Sequence, residues 1–266
     1  IGKLSDQQIP AKIDSHGGKD TSYRGRMRFI ANSGDWCLRR KESDDLVHLE
    51  ECPVAACEIS AIMQKRLSYP DGTQFRVLAA NGRAWFSGEI ASIPVLGENF
   101  QVPVDGFFQS NQAMLAESIP HICAPLPERA PLLVADLYGG YGIFSHFFSR
   151  DGVHCISVDS AGGGQNSENI QFRHMRVERW IQTNEAARDF GVIVLDPPRA
   201  GLSTAVRSYL AGASAKQIRY LSCNPDTFAR DAGDLVRAGW NISACSVYDF
   251  YPHTSHLEVF GVFQKA

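Results

Sequence analysis

Leu132-Leu133-Val134-Ala135-Asp136-Leu137-Tyr138-Gly139-Gly140-Tyr141-Gly142 is an apolar run that ends in a carboxylate and passes into a glycine-rich turn. Three later runs repeat the form: Cys155-Ile156-Ser157-Val158, Val192-Ile193-Val194-Leu195 and Ile218-Arg219-Tyr220-Leu221. Each stops at a polar or glycine-rich turn, and most lead into a stretch with helical spacing. Continuous apolar strands alternating with helices predict an α/β domain built on a mostly parallel, doubly wound sheet. In such sheets the ligand lies outside the carboxyl ends of the strands, so those ends are where chemistry is expected.

The first strand end carries Asp136 and the Gly139-Gly140-Tyr141-Gly142 turn, where a bare backbone can approach a ligand closely. The spacing is not G-x-G-x-x-G and no G-K-[ST] occurs, so neither a dinucleotide fingerprint nor a phosphate loop is supported. An ordinary tight turn is the plain alternative. Asp159 ends the second run, placed to accept hydrogen bonds from two ribose hydroxyls, although a lone Asp there is also a common helix cap. Asp196-Pro197-Pro198-Arg199-Ala200-Gly201 follows the third run, and its two prolines stiffen a loop that holds Asp196 and Arg199. Ser222-Cys223-Asn224-Pro225 follows the fourth. A thiol ahead of a helix N-terminus is expected to have a lowered pKa, which makes Cys223 a candidate nucleophile. Near the end, His253, His256 and Glu258 lack further ligands at metal-site spacing, so no metal is predicted. Glu258 instead suits proton transfer beside a nucleophilic Cys.

Residues 1–105 read differently. A polar lead-in over residues 1–25 precedes strand-like alternation from Tyr23 to Val104, with breaks at Ser33-Gly34-Asp35 and Asn81-Gly82 that predict hairpins. Helical spacing from Pro53 to Leu67 puts a helix on that sheet. This is a small α+β domain, followed by the α/β domain over residues 106–266. Arg24, Arg26 and Arg28 recur at period two and Arg39-Arg40-Lys41 follow, a basic stripe suited to phosphate contacts or simply a solvated face.

Composition excludes fibrous and disordered classes: 44% of the 266 residues are hydrophobic and 21% charged. A net charge of −3 means any nucleic-acid contact must be local. Seven cysteines without a CxxC pair argue against a disulfide framework. Cys123, Cys155 and Cys245 lie in apolar runs and read as inert core. No membrane-length apolar run and no signal-peptide pattern occur, so a cytoplasmic protein is expected, although the chain begins at Ile1 and not at Met.

Five segments together resemble the S-adenosylmethionine-dependent RNA uracil-C5 methyltransferases: Phe107-Phe108-Gln109-Ser110-Asn111, Asp136–Ser145, Asp196–Gly201, Ser222–Pro225 continuing to Asp231, and Phe250–Glu258. The resemblance is strong over 105–266 and weak over 23–104, and the Pro-His-Thr-x-His-x-Glu ending is closer to the ribosomal-RNA branch than to the transfer-RNA branch. It implies a Rossmann-like class I methyltransferase domain. It also implies Cys223 as the thiolate that adds to uracil C6 and Glu258 as the base that removes the C5 proton. Asp196 would hold the uracil edge against the methyl donor. Gln109, Asp136, Tyr138, Gly139, Asp159 and Asp196 would bind S-adenosylmethionine. Phe107 would stack on the extruded base, with plain core packing as the alternative. RNA, ribosomal in the first instance, is the implied partner, contacted by Arg24, Arg26 and Arg28 of the first domain, and a monomer is expected.

Three departures stand out. Ser160-Ala161-Gly162-Gly163-Gly164-Gln165 occupies the place of a helix usual in the family, and three glycines disfavour one. His174-Met175-Arg176 stands where an acidic or amide residue often meets adenine. Cys52-Pro53 resembles one ligand of the iron–sulfur cluster in some relatives, but no partners precede Cys37, so no cluster is expected and Cys37, Cys52 and Cys57 read as packing residues. An RNA-binding relative with a degenerate cofactor site is therefore the alternative to an active enzyme.

Overall fold

The computed structural model describes residues 12–65, 68–125, 133–150 and 152–265. Residues 1–11 of the polar lead-in, Arg66-Leu67 at the end of the expected helix, and Leu132 at the head of the first apolar run lie outside the described residues. The strands are β1 (Ile13–His16), β2 (Arg26–Asn32), β3 (Asp35–Arg39), β4 (Leu46–His48), β5 (Gln74–Ala80), β6 (Arg83–Phe86), β7 (Ile90–Val95) and β8 (Glu98–Pro103). They continue with β9 (Leu133–Leu137), β10 (His154–Asp159), β11 (Ile170–His174), β12 (Phe190–Leu195), β13 (Ala215–Ser222), β14 (Trp240–Tyr248) and β15 (Glu258–Lys265). The helices are α1 (Cys57–Gln64), α2 (Gln112–Ile122), α3 (Ile143–Ser149), α4 (Val177–Trp180), α5 (Thr204–Gly212) and α6 (Pro225–Arg237).

Two compact units result. One comprises Gly18–Ala116 with Tyr251–His253, and the other Ile1–Gly17, Glu117–Phe250 and Thr254–Ala266. The division thus falls within α2 and not at residue 105, and the chain ends of the α/β unit are interrupted by three residues that pack with the smaller one.

In the smaller unit, five strands pair antiparallel in the order β4-β3-β2-β5-β6, and β7 pairs with β8. Ser33-Gly34 and Asn81-Gly82 have positive φ at both positions, 54° and 79° in one case and 53° and 66° in the other. That geometry matches the right-handed strand twist of two-residue hairpins, which is why these dipeptides end strands here. Met27, Phe29 and Ala31 of β2 point to one face and join Trp36, Phe75 and Val77 beneath Ile59 and Met63 of α1. The Phe29 ring lies 4.9 Å from Trp36 and 5.7 Å from Phe75.

In the larger unit eight strands run β1-β14-β15-β13-β12-β9-β10-β11. All pairs from β13 across to β11 are parallel, while β15 runs antiparallel between β13 and β14. This is the mixed, mostly parallel sheet expected from the four apolar runs. Ile193, Leu195, Ile218 and Tyr220 are fully buried at its centre. Four of its eight strands lie outside the four runs read from the sequence: β1, β11, β14 and β15. Ile13–His16 was expected to be lead-in but adds as a parallel edge beside β14. It is short and polar, as edge strands tend to be. Ile170–His174 closes the other edge, its alternating exposure carrying too few apolar residues to read as a strand. No helix spans residues 160–169 between β10 and β11, in keeping with the three glycines there.

Removing the ring at the centre of the smaller core tests this packing. Phe29→Ala should cost about 3–5 kcal/mol, read as a lowered urea midpoint at unchanged slope; a loss below about 1 kcal/mol would contradict the burial described.

Candidate active site

The ladder between β13 and β15 pairs Ser222 with Val259, and that between β14 and β15 pairs Tyr248 with Glu258. One antiparallel step beyond Ser222–Val259 brings Cys223 opposite Glu258. Parallel to β13, β12 ends at Leu195, so Asp196 emerges beside the same strand ends, and its N–H donates to Leu137 O of β9 at 3.3 Å. Sequence-distant Cys223, Glu258 and Asp196 are thereby gathered at one sheet edge, with Arg199 beside them.

Burial governs their chemistry. Glu258 is 2% exposed, and its Oε2 is buried without a partner. Desolvation and the Asp196 charge push its carboxyl up to about 8, with Arg199 pulling the other way. Burial, then the charges of Glu258 and Asp196, push the Cys223 thiol up to about 11, again against Arg199. The expected lowering by the helix N-terminus is thus overturned: the α6 end is capped by its own Asn224, whose Oδ1 accepts from Asp226 N at 3.0 Å. These surroundings disfavour the Cys223 thiolate. A carboxyl near 8 opposite that thiol is poised for proton transfer close to neutral pH.

The second group lies one strand over. Asp136 is completely buried. Its Oδ2 accepts from Ser145 N at 3.1 Å and Ser145 Oγ at 2.7 Å, whereas Oδ1 has no partner. Burial raises it to about 6. Ser157 Oγ, also buried without a partner, faces the same place, because a Cβ on Gly139 would stand 2.4 Å from that oxygen and 2.9 Å from Asp136 Oδ2. Two orphaned oxygens beside an obligatory glycine fit a cationic hydrogen-bond donor, such as the ammonium of an amino-acid moiety.

Other expected residues are placed as follows. Tyr138 has φ 64°, its ring packs against the core, and burial raises its hydroxyl pKa. Asp159 is spent on its own loop: Oδ1 accepts from Ala161 N at 2.6 Å and Gly162 N at 2.9 Å, and Oδ2 from Gly140 N at 3.1 Å. The glycine tract lies so close to the turn that a Cβ on Gly162 would meet Gly140 O at 1.8 Å. Three of the four acceptor sites of the Asp159 carboxylate are thus taken, and Oδ2 keeps one for a further donor. In the smaller unit Phe107 is 67% exposed, Phe108 is buried, and Gln109 Oε1 is buried without a partner. The basic stripe is narrower than its spacing suggests. Arg26 Nη2 donates to Gly106 O at 2.6 Å and Arg24 Nε to Arg26 O at 3.4 Å; of the three only Arg28 is exposed, and it bonds Gln74. Arg39, Arg40 and Lys41 stand beside Asp44, Asp45 and Glu42. Cys57, expected to pack, is exposed at the head of α1. Ser157 and Ser145 were missed, although a serine inside an otherwise apolar strand run was a visible signal at Ser157.

The fold is that of the class I S-adenosylmethionine-dependent methyltransferases. A family model described as tRNA (Uracil-5-)-methyltransferase matches residues 165–266 of the chain. The chain is 28% identical to an uncharacterized RNA methyltransferase of Treponema denticola, over 93% of this chain and 68% of that protein. It is 27% identical to the 23S rRNA (uracil(1939)-C(5))-methyltransferase RlmD of Edwardsiella ictaluri, over 94% of this chain and 71% of that protein. A solved structure of Pyrococcus abyssi tRNA (uracil-54, C5)-methyltransferase, in complex with S-adenosyl-L-homocysteine, superposes with a TM-score of 0.73 at 17% identity, covering 95% of this chain and 79% of that one.

Ionised Asp136 should strengthen cofactor binding, so affinity for S-adenosylmethionine should rise as pH passes upward through 6. Calorimetry at pH 5 and 7.5 should show this dependence, and Asp136→Asn should remove it while weakening binding about tenfold or more. Equal affinity of wild type at both pH values would exclude the carboxylate from the site.

Proposed function

We propose that this enzyme methylates C5 of a uridine in ribosomal RNA through a covalent Cys223 adduct. The observation that carries the reading is the pairing of a half-buried thiol with a buried carboxyl of raised pKa one step beyond the end of the β13–β15 ladder. Binding alone needs neither group. Uracil C5 is a poor nucleophile because its double bond is conjugated to a carbonyl. The Cys223 thiol releases its proton to solvent as its sulfur adds to C6, with Glu258 ionised; the addition breaks the C5–C6 double bond, and that electron pair moves onto C5 and the C4 carbonyl oxygen. Asp196, at the strand end beside Cys223, would hold the uracil edge. S-adenosylmethionine, when bound, supplies an electrophilic methyl group that the activated C5 accepts. Glu258 as carboxylate then takes the C5 proton, and the electron pair left behind reforms the double bond as the Cys223 sulfur departs.

Asp136 Oδ1 and Ser157 Oγ would receive the cofactor ammonium, with Gly139 leaving it room, and Gln109, Tyr138 and Asp159 would complete that site. Exposed Phe107 would stack on the extruded base, and Arg28, with Arg24 and Arg26, would contact phosphate. Ribosomal RNA is favoured because the RlmD relative is named for it and aligns over 94% of this chain. The enzyme would act as a monomer, since every assigned residue comes from one chain, in the cytoplasm, where such RNA is made. No helix among the described residues is long and apolar enough to cross a membrane. The engagement of Asp159 by its own loop favours one competing reading, an RNA-binding protein with a degenerate cofactor site.

Labelled methyl groups offered with unmodified ribosomal RNA and transfer RNA separate these readings. The expected result is label in ribosomal RNA as 5-methyluridine, and its loss by at least a thousandfold in Cys223→Ala. Label in transfer RNA alone would reassign the substrate. RNA binding without cofactor binding or label would establish the degenerate reading.

A further inference from the structure

The loop that carries Asp196 and Arg199 is held from outside the reacting groups. One face of the first turns of α6, residues three to four apart, is turned onto it. Asn224 Nδ2 donates to Arg199 O at 3.2 Å, and Thr227 Oγ1, which donates to Asn224 O at 3.1 Å, makes a longer contact to the same Arg199 oxygen at 3.5 Å. Arg230 Nη2 donates to Ala200 O and Leu202 O, each at 3.1 Å, while its Nε donates to Asp231 Oδ1 at 2.8 Å. Asp231 is completely buried, and its Oδ2 accepts from Leu202 N and Tyr220 OH, each at 2.8 Å. Arg207 Nη1 adds a longer contact to Asp231 Oδ1 at 3.4 Å. Between these anchors Gly201 has φ 71°, and a Cβ there would stand 2.7 Å from both Arg230 Nη2 and Asp231 Oδ2. The other end of the loop is stiffened by Pro197 and Pro198 and tied by Asp196 N to Leu137 O.

We propose that Arg230, seated on buried Asp231, is a positioning residue that sets where Arg199 stands relative to Cys223 and Glu258. The inference rests on the methyltransferase reading for its purpose but not for its geometry. The reason is topological: α6 begins two residues after Cys223, so the helix that follows the thiol also grips the backbone of Arg199. Arg199 is the cation that opposes the burial of both the thiol and the carboxyl. A loop free to drift would take that charge away, whereas a planar guanidinium can span a carboxylate and two carbonyls at once, which an ammonium cannot. Arg230 touches neither substrate nor cofactor in this account.

Peptide-resolved alkylation of Cys223 by iodoacetamide, followed from pH 7 to 10, reads the thiol without relying on activity. Arg230→Ala should slow Cys223 alkylation at pH 8 about three- to tenfold, and Arg199→Ala should do the same. The double variant should be no slower than either single one, because both act through one charge. Thr227→Ala, which removes a single contact to the same carbonyl, should give a smaller slowing in the same direction, and it decides the matter if Arg230→Ala does not fold. An unchanged Cys223 profile in the folded variant, or additive slowing in the double, would overturn the proposal. If wild type transfers no methyl group yet the slowing appears, the clamp stands and the functional reading falls.

Discussion

The antiparallel insertion of β15 between β13 and β14 is the constraint on which the site depends. A wholly parallel sheet would leave the thiol of Cys223 alone at its strand end. Reversing one strand brings Glu258, from the start of β15, to the same level of the sheet, where the carboxyl is buried and the thiol half-buried. Desolvation then does to each what solvent would not: the carboxyl rises toward neutrality and the thiol rises out of reach of spontaneous ionisation. A thiol of raised pKa also reacts more slowly with adventitious alkylating and oxidising agents than a thiolate would.

One carboxylate and one cation then tune the pair. Asp196 pushes both pKa values up and Arg199 pulls them down, and they sit on one proline-stiffened loop. The loop is in turn fixed by side chains of α6 that spend nothing on the reaction itself. Fold stability and site geometry meet at Asp231, whose buried charge is tolerable only because two arginines, a tyrosine and a backbone N–H satisfy it.

Much of this was legible in the sequence, and the exceptions have physical causes. The four apolar runs gave the central strands because residues buried on both faces leave an unbroken apolar signature. Ser33-Gly34 and Asn81-Gly82 announced their hairpins through φ. Cys223 and Glu258 were visible as residue types after strand ends, but their pairing is a matter of register, which no local pattern encodes. The pKa of Cys223 was misjudged for the same reason: the helix terminus is local, while the burial and the neighbouring carboxylates come from remote segments. Edge strands β1 and β11 escaped because half of each faces solvent. The arginine stripe was read from spacing alone, and spacing does not reveal that Arg26 is spent on Gly106 O.

The account turns on Cys223 as the atom that joins the base. RNA carrying 5-fluorouridine tests this directly, because Glu258 cannot remove fluorine as it would a proton, so the methylated adduct cannot collapse. Intact-mass measurement after incubation with S-adenosylmethionine should show one RNA-linked, methylated protein species, and peptide mapping should place the link at Cys223. An adduct on another of the cysteines, or methylation of ordinary RNA with no adduct on the fluorinated RNA, would contradict the mechanism.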